Sequence, residues 1–292
     1  MKLKDLQYYQ QLIKDRNFSQ VAHHFGVSQP TITMAIQRLE REYGSAFFIR
    51  DHVHQQLHLT AAGQQFAAHV RVILNELQVA QNEIATIKST KIRFGLPPII
   101  GNYYFPSLTP ALMRNGLLTH LESYEHGSRE LLKMLQRGEL DMALLGSLSS
   151  ISQNQLQTIE LGRYPFQIIV SPNNPLAKQK SVSFSQLRQH PFLVPDTEFF
   201  HEQAFKQMCH YAHVRPKVIY RTADIHVIKA MVAENLGIAY ITSLAVAPED
   251  HVVSLNLTDK NNPHFYISAA TRQNEILSPL KQKLWKLLTT KK

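Results

Sequence analysis

Cysteine is almost absent from this chain: its 292 residues carry one, Cys209. A single thiol excludes an intrachain disulfide and any zinc finger built on cysteines, and it fits a chain that works in a reducing cytoplasm. Cys209 falls in the run Gln203-Ala-Phe-Lys-Gln-Met-Cys-His-Tyr211, whose helical spacing reads it as a small buried hydrophobe rather than a redox sensor. Long hydrophobic runs are missing as well. No stretch of about 18 apolar residues occurs, so no spanning helix is expected, and the N-terminus enters a helical pattern directly with no signal peptide. The chain also lacks G-x-S-x-G, H-E-x-x-H, a P-loop and a dinucleotide-binding glycine fingerprint, which leaves no motif for an enzyme of those classes. No catalytic residue, cofactor or metal is expected.

An excess of one charge is present but not concentrated. Lys plus Arg number 31 against 22 Asp plus Glu, a net charge of +9 that favours a polyanionic partner. Residues 1–60, however, hold seven basic side chains and five acidic ones. The case for nucleic acid therefore rests on pattern, and the pattern is clear. Residues 18–43 read as two short helices joined at Gly26-Val27. The first packs through Val21, Ala22 and Phe25; the second buries Ile32, Ile36, Leu39 and Tyr43, whose spacings of 4, 3 and 4 trace one helical stripe. Ser28 is placed to cap the second helix, and Pro30 sits in its first turn, where a missing N–H costs nothing. The opposite face carries Pro30, Met34, Gln37 and Arg41, flanked by Thr31, Thr33 and Arg38. Such a hairpin could serve any all-helical domain without touching DNA. The neighbouring sequence decides otherwise: Leu6, Tyr9, Leu12 and Ile13 form a preceding helix, and Phe47-Phe48-Ile49-Arg50 with Gln56-Leu57-His58-Leu59-Thr60 form a following hairpin. Helix, helix-turn-helix and wing make a reader of double-stranded DNA. Ser28, Gln29, Pro30, Thr31, Thr33, Met34, Gln37 and Arg38 are expected at the DNA, with Arg50 from the wing.

The segments Asn17-Phe18-Ser19, Val27-Ser28-Gln29-Pro30, Arg38-Leu39-Glu40, Phe48-Ile49-Arg50 and Leu59-Thr60-Ala61-Ala62-Gly63 closely resemble the LysR-type transcriptional regulators. Length and downstream organisation extend the resemblance over the whole chain. It implies an α/β protein with an N-terminal winged helix-turn-helix, a long linker helix and a two-lobed, periplasmic-binding-protein-like effector domain. It also implies a small-molecule effector, a homodimer or homotetramer, and RNA polymerase as a further partner. Two departures stand out. The wing segment Asp51–His58 offers three histidines and no Lys or Arg, and Thr33-Met34 stands where the family often shows Ser-Arg.

Thr60 is a good N-cap for a helix running to about Lys88. Phe66, Val70, Ile73, Leu77, Ala80, Ile84 and Ile87 recur along it at alternating spacings of 4 and 3, the a and d positions of three heptads, which predicts helix pairing between two chains. From Lys91 short apolar strands alternate with helices, the pattern of a mostly parallel sheet. The expected division is 1–60 for DNA binding, 61–88 for the linker, and 89–292 for the effector domain. Within the last, lobe I covers about 89–161 and 268–292, and lobe II about 162–267.

In such sheets ligands gather at the carboxyl ends of strands, and a cleft between lobes adds enclosure. Those ends are Pro98, Ile99, Ile100, Gly101 and Asn102 after the first strand, Ser128 at the next helix start, Ser147 after the third strand, Thr197 and Phe199 in the second lobe, and Asp224 before another helix. Ser128, Thr197 and Asp224 can equally be ordinary N-caps. Small polar groups and helix starts, with Phe199 as an apolar wall, suit a small carboxylate. The 15 histidines lack carboxylates or cysteines at metal-binding spacings; those of the wing, His52, His54 and His58, imply only a modest strengthening of DNA binding as pH falls. Two other functions compete with a regulator. A two-lobed binding protein or enzyme would not bind duplex DNA through residues 1–88, and an architectural DNA protein would show little preference for one operator.

Overall fold

The computed structural model of the chain describes residues 1–50, 57–87, 89–152, 155–196 and 200–290. They form two compact units, Met1–Ala85 and Thr86–Lys292.

The first unit is a winged helix. Helix α1 (Leu3–Asp15) precedes α2 (Phe18–Phe25), which Asn17 caps by accepting hydrogen bonds from the Ser19 and Gln20 N–H groups. Gly26 ends α2 in the left-handed region (φ 64°), and α3 (Gln29–Tyr43) starts immediately afterwards. That tight turn needs a positive φ, which glycine adopts at no steric cost. Strands β1 (Phe48–Arg50) and β2 (Leu57–Leu59) pair antiparallel, and α4 (Ala61–Thr86) follows with Thr60 Oγ1 accepting from the Gly63 N–H. Leu6, Tyr9, Leu12, Val21, Ile32 and Leu39 fill the core, closed by stacked Phe47 and Phe66 rings. Tyr9 donates its hydroxyl proton to the Gly63 carbonyl, and a Cβ at Gly63 would overlap the Phe47 carbonyl, so α4 is seated directly on this core.

Three expectations shift here. Tyr43 is 51% exposed rather than buried, because Phe47 and Phe66 already fill the space beneath it; its ring lies 4.7 Å from that of Phe66. Ser28 holds the N-cap position without a capping bond from its side chain, and its hydroxyl pairs with that of Thr31 at 2.8 Å. Phe66 and Val70, the first two positions of the heptad stripe, are buried in this core and cannot also pair with a second chain. The packing therefore places the first turns of α4 with the DNA-binding unit rather than ending that unit at residue 60.

The second unit is α/β. In order come β3 (Ile92–Gly95), α5 (Pro98–Tyr103), α6 (Phe105–Arg114), β4 (Leu121–Tyr124), α7 (Ser128–Gln136), β5 (Met142–Ser147) and β6 (Leu156–Val170). Then follow β7 (Ser181–Val182), β8 (Phe192–Pro195), α8 (Phe200–Tyr211), β9 (Val218–Thr222), α9 (Ile225–Ala233), β10 (Ile238–Thr242), β11 (Val253–Leu257), β12 (His264–Arg272) and α10 (Pro279–Thr289). The strand order is β4-β3-β5-β12-β6-β10-β8-β9, with β11 beside β6 and β7 beside β11. The sheet is mixed instead of mostly parallel. Its outer strands run parallel within each half, while β6 and β12 pair antiparallel with each other and with their neighbours. Residues Leu156–Pro165 of β6 pair with β12, and Phe166–Ile169 pair with β10, so one strand serves both halves. It passes through 161/162 as a single element, marked only by a register shift where β12 reaches Ile267/Ser268. At the far end of β5, buried Asp141 binds Arg93 at 2.7 Å and Lys281 at 2.9 Å, joining β3 to α10.

Candidate functional site

The outward face of α3 is polar and open. Gln29, Pro30, Thr31, Gln37 and Arg41 are exposed, Thr33 is half-exposed, and Met34 is 62% exposed. Gln29 Nε2 donates to Thr33 Oγ1 at 3.1 Å, one helical turn on. Arg38 is tied inward: its Nε and Nη2 grip the Asp5 carboxylate at 2.9 and 2.6 Å. Burial pushes the Asp5 carboxyl up, but the Arg38 hydrogen bonds, the Lys2 N–H and the nearby positive charge outweigh it and leave the group below the usual carboxylate range. Arg38 therefore locks α3 to α1 while remaining partly at the surface. Glu40 accepts from the Phe47 and Phe48 N–H groups at 2.7 and 3.2 Å and so fixes where the wing begins. Arg50 ends β1, but its side chain lies outside the described residues, as do His52 and His54.

In the second unit a cavity of about 260 Å³ opens at the carboxyl end of β5. Ser128 and Arg129 at the start of α7 line one side, Ser147, Ser149 and Ser150 the loop after β5, and Phe200 of α8 the opposite half. Ser128 Oγ accepts from the Gly146 N–H at 2.8 Å, which leaves its own proton free to donate. Ser147 donates to the Ser149 carbonyl at 2.6 Å and folds the loop over the cavity. Beside it, the first turn of α8 carries His201, fully buried between the rings of Phe166 and Phe265 and accepting weakly from the Thr242 N–H at 3.4 Å. Burial pushes its pKa down to about 3, so the ring is neutral.

A profile of the LysR substrate binding domain matches residues 87–292, and one of the bacterial regulatory helix-turn-helix proteins of the lysR family matches residues 3–64. The chain belongs to the LysR family. It is 34% identical over 293 residues to the malolactic fermentation system transcriptional activator of Lactococcus lactis subsp. lactis (strain IL1403), covering 100% of this chain and 99% of that protein. The DNA-binding transcriptional dual regulator OxyR of Escherichia coli (strain K12) is 26% identical over 253 residues, 85% of this chain and 81% of OxyR. The crystal structure of full-length BenM shares the fold, with a TM-score of 0.56 at 19% identity over 99% of this chain and 95% of BenM. A LysR-family chain is a DNA-binding transcription regulator with a two-lobed effector domain, not an enzyme.

In this LysR-family regulator the expected effector residues separate into groups. Ser128 and Ser147 come together at the cavity. Ser128 does not cap α7, because Gly127 holds that position. Pro98 through Asn102 form α5 instead of a binding loop, and Ile99 and Ile100 point into apolar cores. The Pro-Pro pair reads as a strand end, yet Pro98 in the first turn is what starts this short helix. Asp224 caps α9 by accepting from the His226 N–H at 2.8 Å, which accounts for its carboxylate. Thr197 and Phe199 lie outside the described residues. Arg129, Ser149, Ser150 and Phe200 were not anticipated. The run Ser147-Leu-Ser-Ser-Ile-Ser152 after a strand is the signal that points to that loop.

Proposed function

We propose that this regulator activates transcription in response to a small carboxylate, with L-malate the first candidate and related dicarboxylates next. The serine-lined cavity carries this reading. It lies at the carboxyl end of a strand, where ligands gather in α/β sheets, and its roughly 260 Å³ falls below the ~300–1,000 Å³ of drug-sized sites. Hydroxyl donors, a helix start and one guanidinium suit a compact anion. L-malate comes first through the 34% identity with the activator of a malolactic fermentation system.

Relatives also include hydrogen peroxide-inducible genes activators. Peroxide sensing finds no support in this chain, because burial pushes the thiol of Cys209, its only cysteine, up to about 11, far from a reactive thiolate. At the DNA, Gln29, Thr31, Thr33 and Arg38 supply the main contacts, with Ser28, Pro30, Met34, Gln37 and Arg50 beside them. Ile73, Leu77, Ala80 and Ile84 pair two chains, so that effector-dependent lobe closure changes the spacing of the paired heads; a tetramer and contact with RNA polymerase extend the same scheme. Such a protein acts in the cytoplasm, with its operator. Calorimetry of the full chain against C3 to C6 carboxylates tests the effector class: saturable heat with L-malate is expected, and no heat with any of them, in protein that still binds DNA, would overturn it.

A further inference from the structure

Arg129 is the one charged side chain among the described residues lining the serine cavity. It reaches from α7 across to α8. Its Nη2 donates to Gln203 Oε1 at 3.2 Å, and its guanidinium carbon stands 5.6 Å from the centre of the Phe200 ring. Both partners are neutral, and among the described residues no carboxylate lies within ion-pair distance of it. The neighbouring cations differ: Lys206 and Arg221 each bind Glu202, at 2.9 and 3.3 Å. Among the described residues the guanidinium of Arg129 thus has no ion-pair partner, at the mouth of a cavity whose other polar side chains are hydroxyls. A guanidinium bound to an amide exchanges that bond readily for a carboxylate, because the charged pair is bidentate and about twice as strong.

We propose that Arg129 is the specificity-determining residue of the effector site: it releases Gln203 to bind the second carboxylate of a C4-type dicarboxylate, while the first lies against the Ser128 hydroxyl. The inference rests on the reading that a small carboxylate occupies this cavity. Under it, a dicarboxylate binds more tightly than a monocarboxylate of the same hydroxy-acid type, and ligand replaces the Arg129–Gln203 bond between the two halves of the domain.

The test compares L-malate with L-lactate by calorimetry on the full chain and on Arg129→Gln and Arg129→Lys. Losing one hydrogen-bonded charge pair corresponds to about 10- to 100-fold in affinity. Arg129→Gln should lose that much for malate and leave lactate within about twofold, which removes the preference; Arg129→Lys should recover part of it. Unchanged malate affinity in Arg129→Gln would overturn the role of Arg129 and leave the carboxylate reading standing. Equal losses for both acids would mean that Arg129 only maintains the domain, which also overturns it. Heat with neither acid in the unaltered chain would overturn both.

Discussion

Gln29 and Thr33 bond to each other on an exposed helical face, and breaking a solvent-exposed pair costs little, so both can turn to base edges. Gln29→Ala should therefore cost about 1–3 kcal/mol at the cognate operator and barely change non-specific binding, as competition gel shifts would measure. Equal losses on both DNAs would remove Gln29 from the reading set. Arg38 illustrates a limit of sequence: its helical position marks it as a candidate DNA contact, but only the fold brings Asp5, 33 residues away, against its guanidinium. His201 was equally silent, one of 15 histidines whose burial no local pattern marks. Its folded pKa of about 3 lies below the ordinary 6.5. The unfolded chain then binds the extra proton first as pH falls, so the stability from the neutral ring is complete above pH ~6.5 and declines by about 1.4 kcal/mol per pH unit below it, down toward pH 3. His201→Phe should lower stability at pH 7 by removing the acceptor of the Thr242 N–H, yet flatten the fall between pH 6.5 and 5 in urea titrations. Parallel pH slopes for the two chains would contradict this.

Among the elements, the apolar stripe of α4 divides in two. Phe66 and Val70 complete the winged-helix core, whereas Ile73 and Leu77 are 41% and 40% exposed and Ile84 is 70% exposed. Apolar side chains left in water at heptad spacing call for a partner helix. Leu77→Asp puts a charge at a position already open in the single chain, so folding should be unaffected while the dimer dissociates; sedimentation at micromolar concentration should show half the mass. An unchanged mass would mean that the stripe does not pair chains. The heptads were legible because the 4-and-3 spacing is local. So was the alternation of apolar strands and helices from Lys91 on. The long strand β6 was not, since Gly162 and Pro165 are poor strand residues at the expected lobe boundary and only pairing with β12 carries the strand through them. β11, with only Leu255 fully buried between half-buried Val253 and Leu257, was likewise lost among polar neighbours.

At the scale of the whole molecule, the order of a DNA reader, a long helix and a two-lobed sensor was visible in the sequence, because motif spacing and the change of period at Lys91 are properties of the chain itself. The cavity was only half visible. Ser128 and Ser147 sit at strand and helix junctions that sequence can place, but Arg129 and Phe200 meet across it through the antiparallel return of β6 and β12, which no short-range signal encodes. What joins these parts is the claim that occupancy of the cavity changes how the paired heads hold DNA. A footprint on the protein's own upstream region, with and without L-malate, tests that claim most directly. Malate should alter the length or spacing of the protected sites at concentrations that saturate the calorimetric signal. Identical footprints at those concentrations, with malate bound, would contradict it.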